Sequence, residues 1–256
     1  TYIYKMEITI KYFGSNWKAN LKEPIDISIP LNDSKPLINA WGAEKPEIKP
    51  VERENWIGSV KSGSSVNFNN IFFNPHSHVT HTECVGHISV KKKSINQLLK
   101  KFVFFSNVIS IRPEISQNGD KVITLDQLTK KFIAPYNEAL IIRTLPNTDK
   151  KLDFDYTNTN PTYMDYHCAK WLSEIGVKHI LIDVPSIDKE KDDGKLSAHK
   201  AYWNYPKNPK LDFFITEFIY VPNTVNDGIY LLFLNFAPIE NDASPSRPII
   251  FKLKKL

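Results

Sequence analysis

The sequence predicts an α/β fold, a single compact domain with a mixed, partly parallel sheet or barrel. Three observations carry that expectation. Ala139–Arg143, Pro161–Ile175 and Lys178–Val184 read as strand, helix and strand in succession, and such a crossover joins parallel neighbours. The later segments Phe213–Tyr220, Ile229–Phe236 and Pro248–Leu253 are all β-rich and can close the sheet. The chain of 256 residues, 41% hydrophobic and 12% aromatic, has ample material for one core. It shows no internal repeat, low-complexity tract or clean linker, so residues 1–256 are read as one domain.

Taken in order, Met6–Phe13 alternates apolar and polar residues as a half-buried strand does, and Asp26–Leu31 alternates again. Thr1–Lys5 can be appended or processed residues, with Met6 a candidate natural start. Between Ile38 and Gly63 periodicity is lost, which marks a functional flap or a disordered stretch. Val66–Phe73 is a strand candidate. Ser94 can cap a helix through Ile95, Leu98, Leu99 and Phe102, after which Val103–Ile111 turns β-like. Thr124-Leu125-Asp126-Gln127 has capping-box spacing and opens a short helix ending near Phe132. Ala139–Arg143 is a compact apolar run suited to a central strand. Pro161 is expected to open the crossover helix and Gly176 to stop it.

Charge and cysteine content narrow the function. The net charge is +5, and Lys91–Lys93 and the Lys252–Lys255 tail are the only basic runs. Neither sits among aromatics or in a reading motif, so both are solvated faces and no nucleic-acid partner is expected. No apolar run approaches membrane-spanning length, so no membrane partner is expected either. Two cysteines, Cys84 and Cys168, cannot build a disulfide framework, which points to a reducing, cytoplasmic setting.

The chemistry concentrates in Asn74–His87, N-P-H-S-H-V-T-H-T-E-C-V-G-H, which holds four of the seven histidines around Glu83. Neutral imidazole is the commonest protein ligand for divalent transition metals, and a carboxylate in the same cluster suits zinc or manganese. On a strand, His81 and Glu83 would share a face. On a helix, Glu83 and His87 would lie one turn apart. The alternative is a loop of merely solvated histidines.

T-H-T-E-C-V-G-H resembles the T-H-x-D-x-P-x-H signature of the cyclase family, which includes the bacterial kynurenine formamidases. The resemblance continues through A-L-I-I-R-T at Ala139–Thr144, the D-V-P-S-I-D turn at Asp183–Asp188, His199, Glu217 and P-I-E-N-D-A-S-P-S-R-P at Pro238–Pro248. It implies a swivelling β/β/α fold, one or two divalent metal ions (Zn²⁺, or Mn²⁺) and a homo-oligomer, dimer or tetramer. Carried over position by position, His81 resembles a first-metal ligand, Glu83 the bridging carboxylate, His199 a second-metal ligand and Glu217 a second bridging carboxylate. His87 looks like the general acid/base, and Trp41 sits where the formamidases place a tryptophan beside the substrate ring.

The sequence also departs from the family pattern. The usual first ligand lies four residues before the second histidine, where this chain has Ser77, so His76 or His78 must substitute, and His76 is the favoured reading. Val79 replaces a glycine, Glu83 an aspartate and Val85 a proline.

The resemblance implies hydrolysis of an amide, lactam or ester bond in a small, aromatic substrate, of the N-formylkynurenine or isatin kind. Such hydrolysis needs a nucleophile at neutral pH, stabilisation of an oxyanion and a proton for the leaving group. His87 can alternatively be a ligand, His199 a surface helix histidine and Glu217 a solvated strand residue. His167 and His179 are read as structural. Cys84 as nucleophile is the weaker alternative, because the metal ligands already provide for water. The rival function is a catalytically degenerate protein that holds a small molecule without turnover.

Overall fold

The computed structural model describes residues 6–34, 36–132 and 137–256; Thr1–Lys5 lie outside them. Seven strands, numbered in chain order, close a barrel: β1 (His81–Glu83), β2 (Val103–Ile111), β3 (Ala139–Thr144), β4 (His179–Ile182), β5 (Phe214–Glu217), β6 (Gly228–Phe236) and β7 (Ala243–Lys255). Their order is β7-β6-β2-β3-β4-β5-β1, and β7 returns to pair with β1. Strands β2 to β5 run parallel to one another, while β1, β6 and β7 pair antiparallel. The thirteen-residue length of β7 makes closure possible, since it pairs with β6 through Phe251 and with β1 through Ala243. The single domain with a mixed, partly parallel barrel is therefore present.

The apolar run of β3 is explained by burial on both faces. Leu140 and Ile142 join Ile180, Ile182 and Ile215 in an outer layer packed under the helices, while Ala139 and Ile141 join Leu181, Phe214 and Leu232 in the barrel interior. The crossover between β3 and β4 is helical as expected, but α4 spans Tyr166–Glu174 and does not begin at Pro161. Tyr163–Met164 instead pairs with Val122–Ile123, and the Asp165 side chain caps the helix by accepting from His167 N. Gly176 stops it with φ +84°. The Thr124 capping box forms as predicted and opens α3 (Leu125–Lys131). By contrast, the helix expected through Phe102 is a single turn, α2 (Ile95–Leu98), whereas Val103–Ile111 forms β2 as expected.

The long stretch after Ile38 is an appended flap. Glu47–Pro50 pairs with Asn69–Phe72, and Glu52–Arg53 with Trp56–Ile57. Val60, Val66, Phe68, Ile71 and Phe72 on it are each more than half exposed. The alternation in Asp26–Leu31 yields only the short strand Ile25–Asp26 and a bridge at Ser28. Among the described residues no helix is long and apolar enough to cross a membrane.

Candidate metal centre

The site forms on the outer face of the barrel where β1 lies against β5. His81 and Glu83 share that face by strand alternation, and register sets Glu217 opposite His81. His81 Nε2 lies 3.4 Å from Glu217 Oε2. Thr82 turns to the other face and bonds Thr216 at 2.8 Å. His81 Nδ1 is 3.1 Å from the Val79 carbonyl oxygen. A carbonyl only accepts, so Nδ1 carries the proton and the Nε2 lone pair is left for the centre.

The turn before β1 points the two upstream histidines in different directions. In α1 (Pro75–His78), Asn74 accepts from His76 N, and Pro75 takes the first helical position, where no amide is needed. That geometry sends His76 into the site, with Nδ1 3.3 Å from Glu83 Oε2. His78 faces back, its Nδ1 accepting from Asn74 N at 3.0 Å. Ser77 is fully buried, and its Oγ has no partner among the described residues.

His199 arrives on α5 (Ser197–Trp203). The D-V-P-S-I-D turn places it, because the Asp188 carboxylate accepts from Ala198 N (2.7 Å), His199 N (3.0 Å) and His199 Nδ1 (2.6 Å). His199 Nε2 then reaches Glu83 Oε1 at 3.0 Å. The same turn donates Ile187 N to Glu217 Oε1 at 2.9 Å. His199 and Glu217 are thus buried beside Glu83 and His81, neither a surface histidine nor a solvated glutamate.

His87 ends a 3₁₀ turn, Val85–His87, at the rim, with its side chain 31% exposed. Its Nδ1 lies 3.8 Å from Glu83 Oε2 and 3.4 Å from Asp242 Oδ2. A Cβ at Gly86 would overlap the Lys93 carbonyl oxygen and approach Asp242 Cβ to 3.1 Å, so glycine lets the two chains meet there. Trp41 stands at the mouth of the adjoining cavity of about 450 Å³, and its indole N–H donates to the His76 carbonyl at 3.2 Å. Its φ of +64° is unusual for an aromatic residue, a local strain held by the surrounding contacts. His179 is packed between Phe104 and Phe214, and His167 is bonded to Asp165, both outside the cluster.

Sequence reading missed two carboxylates. Asp242 precedes β7 and accepts from His76 Nε2 at 2.9 Å. Nothing in E-N-D-A-S distinguishes it from a turn residue; only the pairing of Ala243 with Glu83 brings it in. Asp188 was visible in the D-V-P-S-I-D turn, but its hold on His199 required α5 to begin where it does.

Charge within the cluster is tightly coupled. Burial opposes ionisation of Glu83, yet His87, His199 and His76 outweigh it and hold the carboxyl well below the usual range. Burial disfavours a charged His76, but Asp242 and Glu83 push it up to about 10. His199 is raised in the same way by Asp188 and Glu83. Burial pushes the Cys84 thiol up to about 12, which argues against a thiolate nucleophile.

The donor set fits a divalent cation. Buried His81 Nε2 and Glu83 Oε2 have no hydrogen-bond partner among the described residues. One ligand atom each from His76, His81 and Glu83 lies within 4.8 Å of the others; the same holds for Glu83, His87 and His199, and for His76, His87 and Asp242. Mixed imidazole and carboxylate donors suit zinc or manganese.

A family model described as "Putative cyclase" matches residues 25–189. The kynurenine formamidase of Bacillus mycoides (strain KBAB4) is 26% identical over 231 residues, 88% of this chain and 96% of that protein. That of Bacillus cytotoxicus is 29% identical over 237 residues, covering 89% and 97%. Among solved structures, an isatin hydrolase bound to the product analogue thioisatinate superposes with a TM-score of 0.64 at 17% identity, over 91% of this chain and 93% of that one. A potential metal-dependent hydrolase with cyclase activity gives 0.64 at 13% identity, over 90% and 97%. At those identities the two structures speak for the fold.

Proposed function

This chain belongs to the cyclase family, and from that premise we propose that it is a metal-dependent hydrolase opening an amide, lactam or ester bond of a small aromatic substrate. The carrying observation is the convergence of His81 Nε2 and Glu83 Oε2, neither hydrogen-bonded among the described residues, at one buried point beside His76, His199 and Glu217. We assign His76, His81, Glu83, His199 and Glu217 to holding one or two ions, Zn²⁺ ahead of Mn²⁺. A divalent ion there would supply an ionised water near neutral pH and polarise the scissile carbonyl.

The chain's own residues account for the rest. His87, whose side chain is 31% exposed against 19% for His76, can pass a proton to the leaving nitrogen, with Asp242 orienting its Nδ1 side. Asp188 and Asp242 fix the rings of His199 and His76 as carboxylate partners of ligand histidines do. Trp41 offers a flat wall at the cavity mouth. Relatives named kynurenine formamidase and an isatin hydrolase of the same fold support an N-formylated aniline or a fused lactam as substrate.

Two further assignments go with this reading. The exposed apolar residues of the flap support a homo-oligomer, dimer or tetramer, formed through that surface. The free, buried Cys84 and Cys168 fit a reducing compartment such as the cytoplasm. Metal analysis together with a formanilide, lactam and ester panel tests the function. Stoichiometric metal with turnover of at least one class supports it. Stoichiometric metal with no turnover would instead favour a binding protein.

A further inference from the structure

A second cavity, about 460 Å³, opens where the parallel strands β2, β3 and β4 end, and it shares no lining residue with the cavity beside the metal centre. Leu145, Pro146, Phe154, Pro161 and Val184 give it apolar walls. Arg112, Lys121 and Lys150 line it as well, and among the described residues none of these three side chains has a hydrogen-bonded or ion-paired partner. The lining carboxylate, Asp183, is already matched: it accepts from Lys151 Nζ at 2.7 Å and from Thr144 N and Oγ1, each at 2.9 Å. Tyr156 is nine-tenths buried in the wall, and its hydroxyl has no hydrogen-bond partner among the described residues.

We propose that this cavity is a second small-molecule site, for a compact anion with an apolar body, of the aromatic or branched-aliphatic carboxylate class. The three exposed cations at its edge offer an anion an attraction that a neutral ligand would leave unused. An inorganic anion would leave the apolar walls wet. A carboxylate on a hydrophobic frame meets both demands, and the volume suits one such molecule. The metal-side cavity is lined differently, by Asp188, Glu190, Asp192 and Glu217 together with Lys189, His76 and His87. The Tyr156 ring lies 5.8 Å from Phe218, whose ring is 6.0 Å from that of His81. One aromatic layer thus separates the two sites.

The test is calorimetric titration with naphthalene-2-carboxylate, using naphthalene-2-carboxamide as the uncharged twin, on both metal-loaded and chelator-stripped protein. In stripped protein the carboxylate should bind once per chain and well ahead of the amide, and in loaded protein the same event should persist with unchanged affinity, separate from any binding at the metal. The exposed triple variant R112Q/K121Q/K150Q should melt normally and bind at least about tenfold more weakly. Tyr156→Phe, which keeps the ring, should bind a few-fold more weakly. Failure of the carboxylate to bind, equal binding of the amide, unchanged affinity in the triple variant, or dependence on metal would each overturn the proposal. None of these outcomes depends on whether the metal centre hydrolyses anything.

Discussion

Asp188 Oδ2 lies 2.6 Å from His199 Nδ1, and the same carboxylate accepts the backbone amides of Ala198 and His199. One side chain therefore both starts α5 and aims the imidazole it carries. Asp188→Asn keeps the size but loses the charge. It should weaken metal binding by about 10–100-fold, read by competition with a chromophoric chelator. Unchanged metal affinity would show that Asp188 serves only the helix.

His76 and His78 make a matched pair for testing the ligand turn. His76→Ala should lose much of the bound metal, because its ring faces Glu83. His78→Ala should keep it, because that ring is turned back onto Asn74 N. Metal content by mass spectrometry decides, and the reverse order would reassign the first ligand.

The turn also shows how much a sequence can carry. The capping box at Thr124 and the two-sided apolar run at Ala139–Thr144 are local signals, and both elements form where they were read. Pro161 misled because pairing of Tyr163–Met164 with Val122–Ile123 is a tertiary event that overrides a local helix preference. The histidine-rich core of the centre was legible because His81 and Glu83 alternate on one strand. Asp242 was not, since its place depends on β7 closing onto β1 across about 160 residues of chain.

The pH response has a definite sign. His76 is raised in the folded, metal-free protein to about 10, against roughly 6.5 in an unfolded chain. Its contribution to stability is fully present below roughly pH 6.5 and is lost as pH climbs toward about 10. Glu83 and Asp242 are lowered, so their contributions hold above the ordinary carboxylate range and are lost on acidification through their folded values. Stripped protein should therefore melt highest between about pH 5 and 7. Metal displaces the His76 proton, so metal affinity should rise with pH over the same interval. Melting curves of stripped and loaded protein across pH check both, and an affinity that falls with pH would contradict the account.

Trp41 is 41% exposed and tied to the chain by one indole hydrogen bond to His76. Trp41→Ala should shift Tm little while raising KM severalfold, since aromatic stacking is worth about 0.5–1.5 kcal/mol beyond burial. A large Tm loss with unchanged KM would make the indole a structural anchor.

His87 separates a proton carrier from a ligand. His87→Ala should retain nearly all metal and lose about 10²–10⁴-fold in turnover, with an activated ester suffering less than an anilide. Loss of metal, or equal loss on both substrates, would place His87 among the ligands.

Chelator-stripped protein, titrated with Zn²⁺ and in parallel with Mn²⁺ while turnover of a formanilide and a fused lactam is followed, bears most directly on the central claim. Turnover should be absent in stripped protein, rise in proportion to bound metal and level off at one or two ions per chain. The same titration of Glu83→Ala should stay flat. Full turnover without metal, or a Glu83→Ala protein that regains activity along the wild-type curve, would contradict a metal-dependent hydrolase built on this centre.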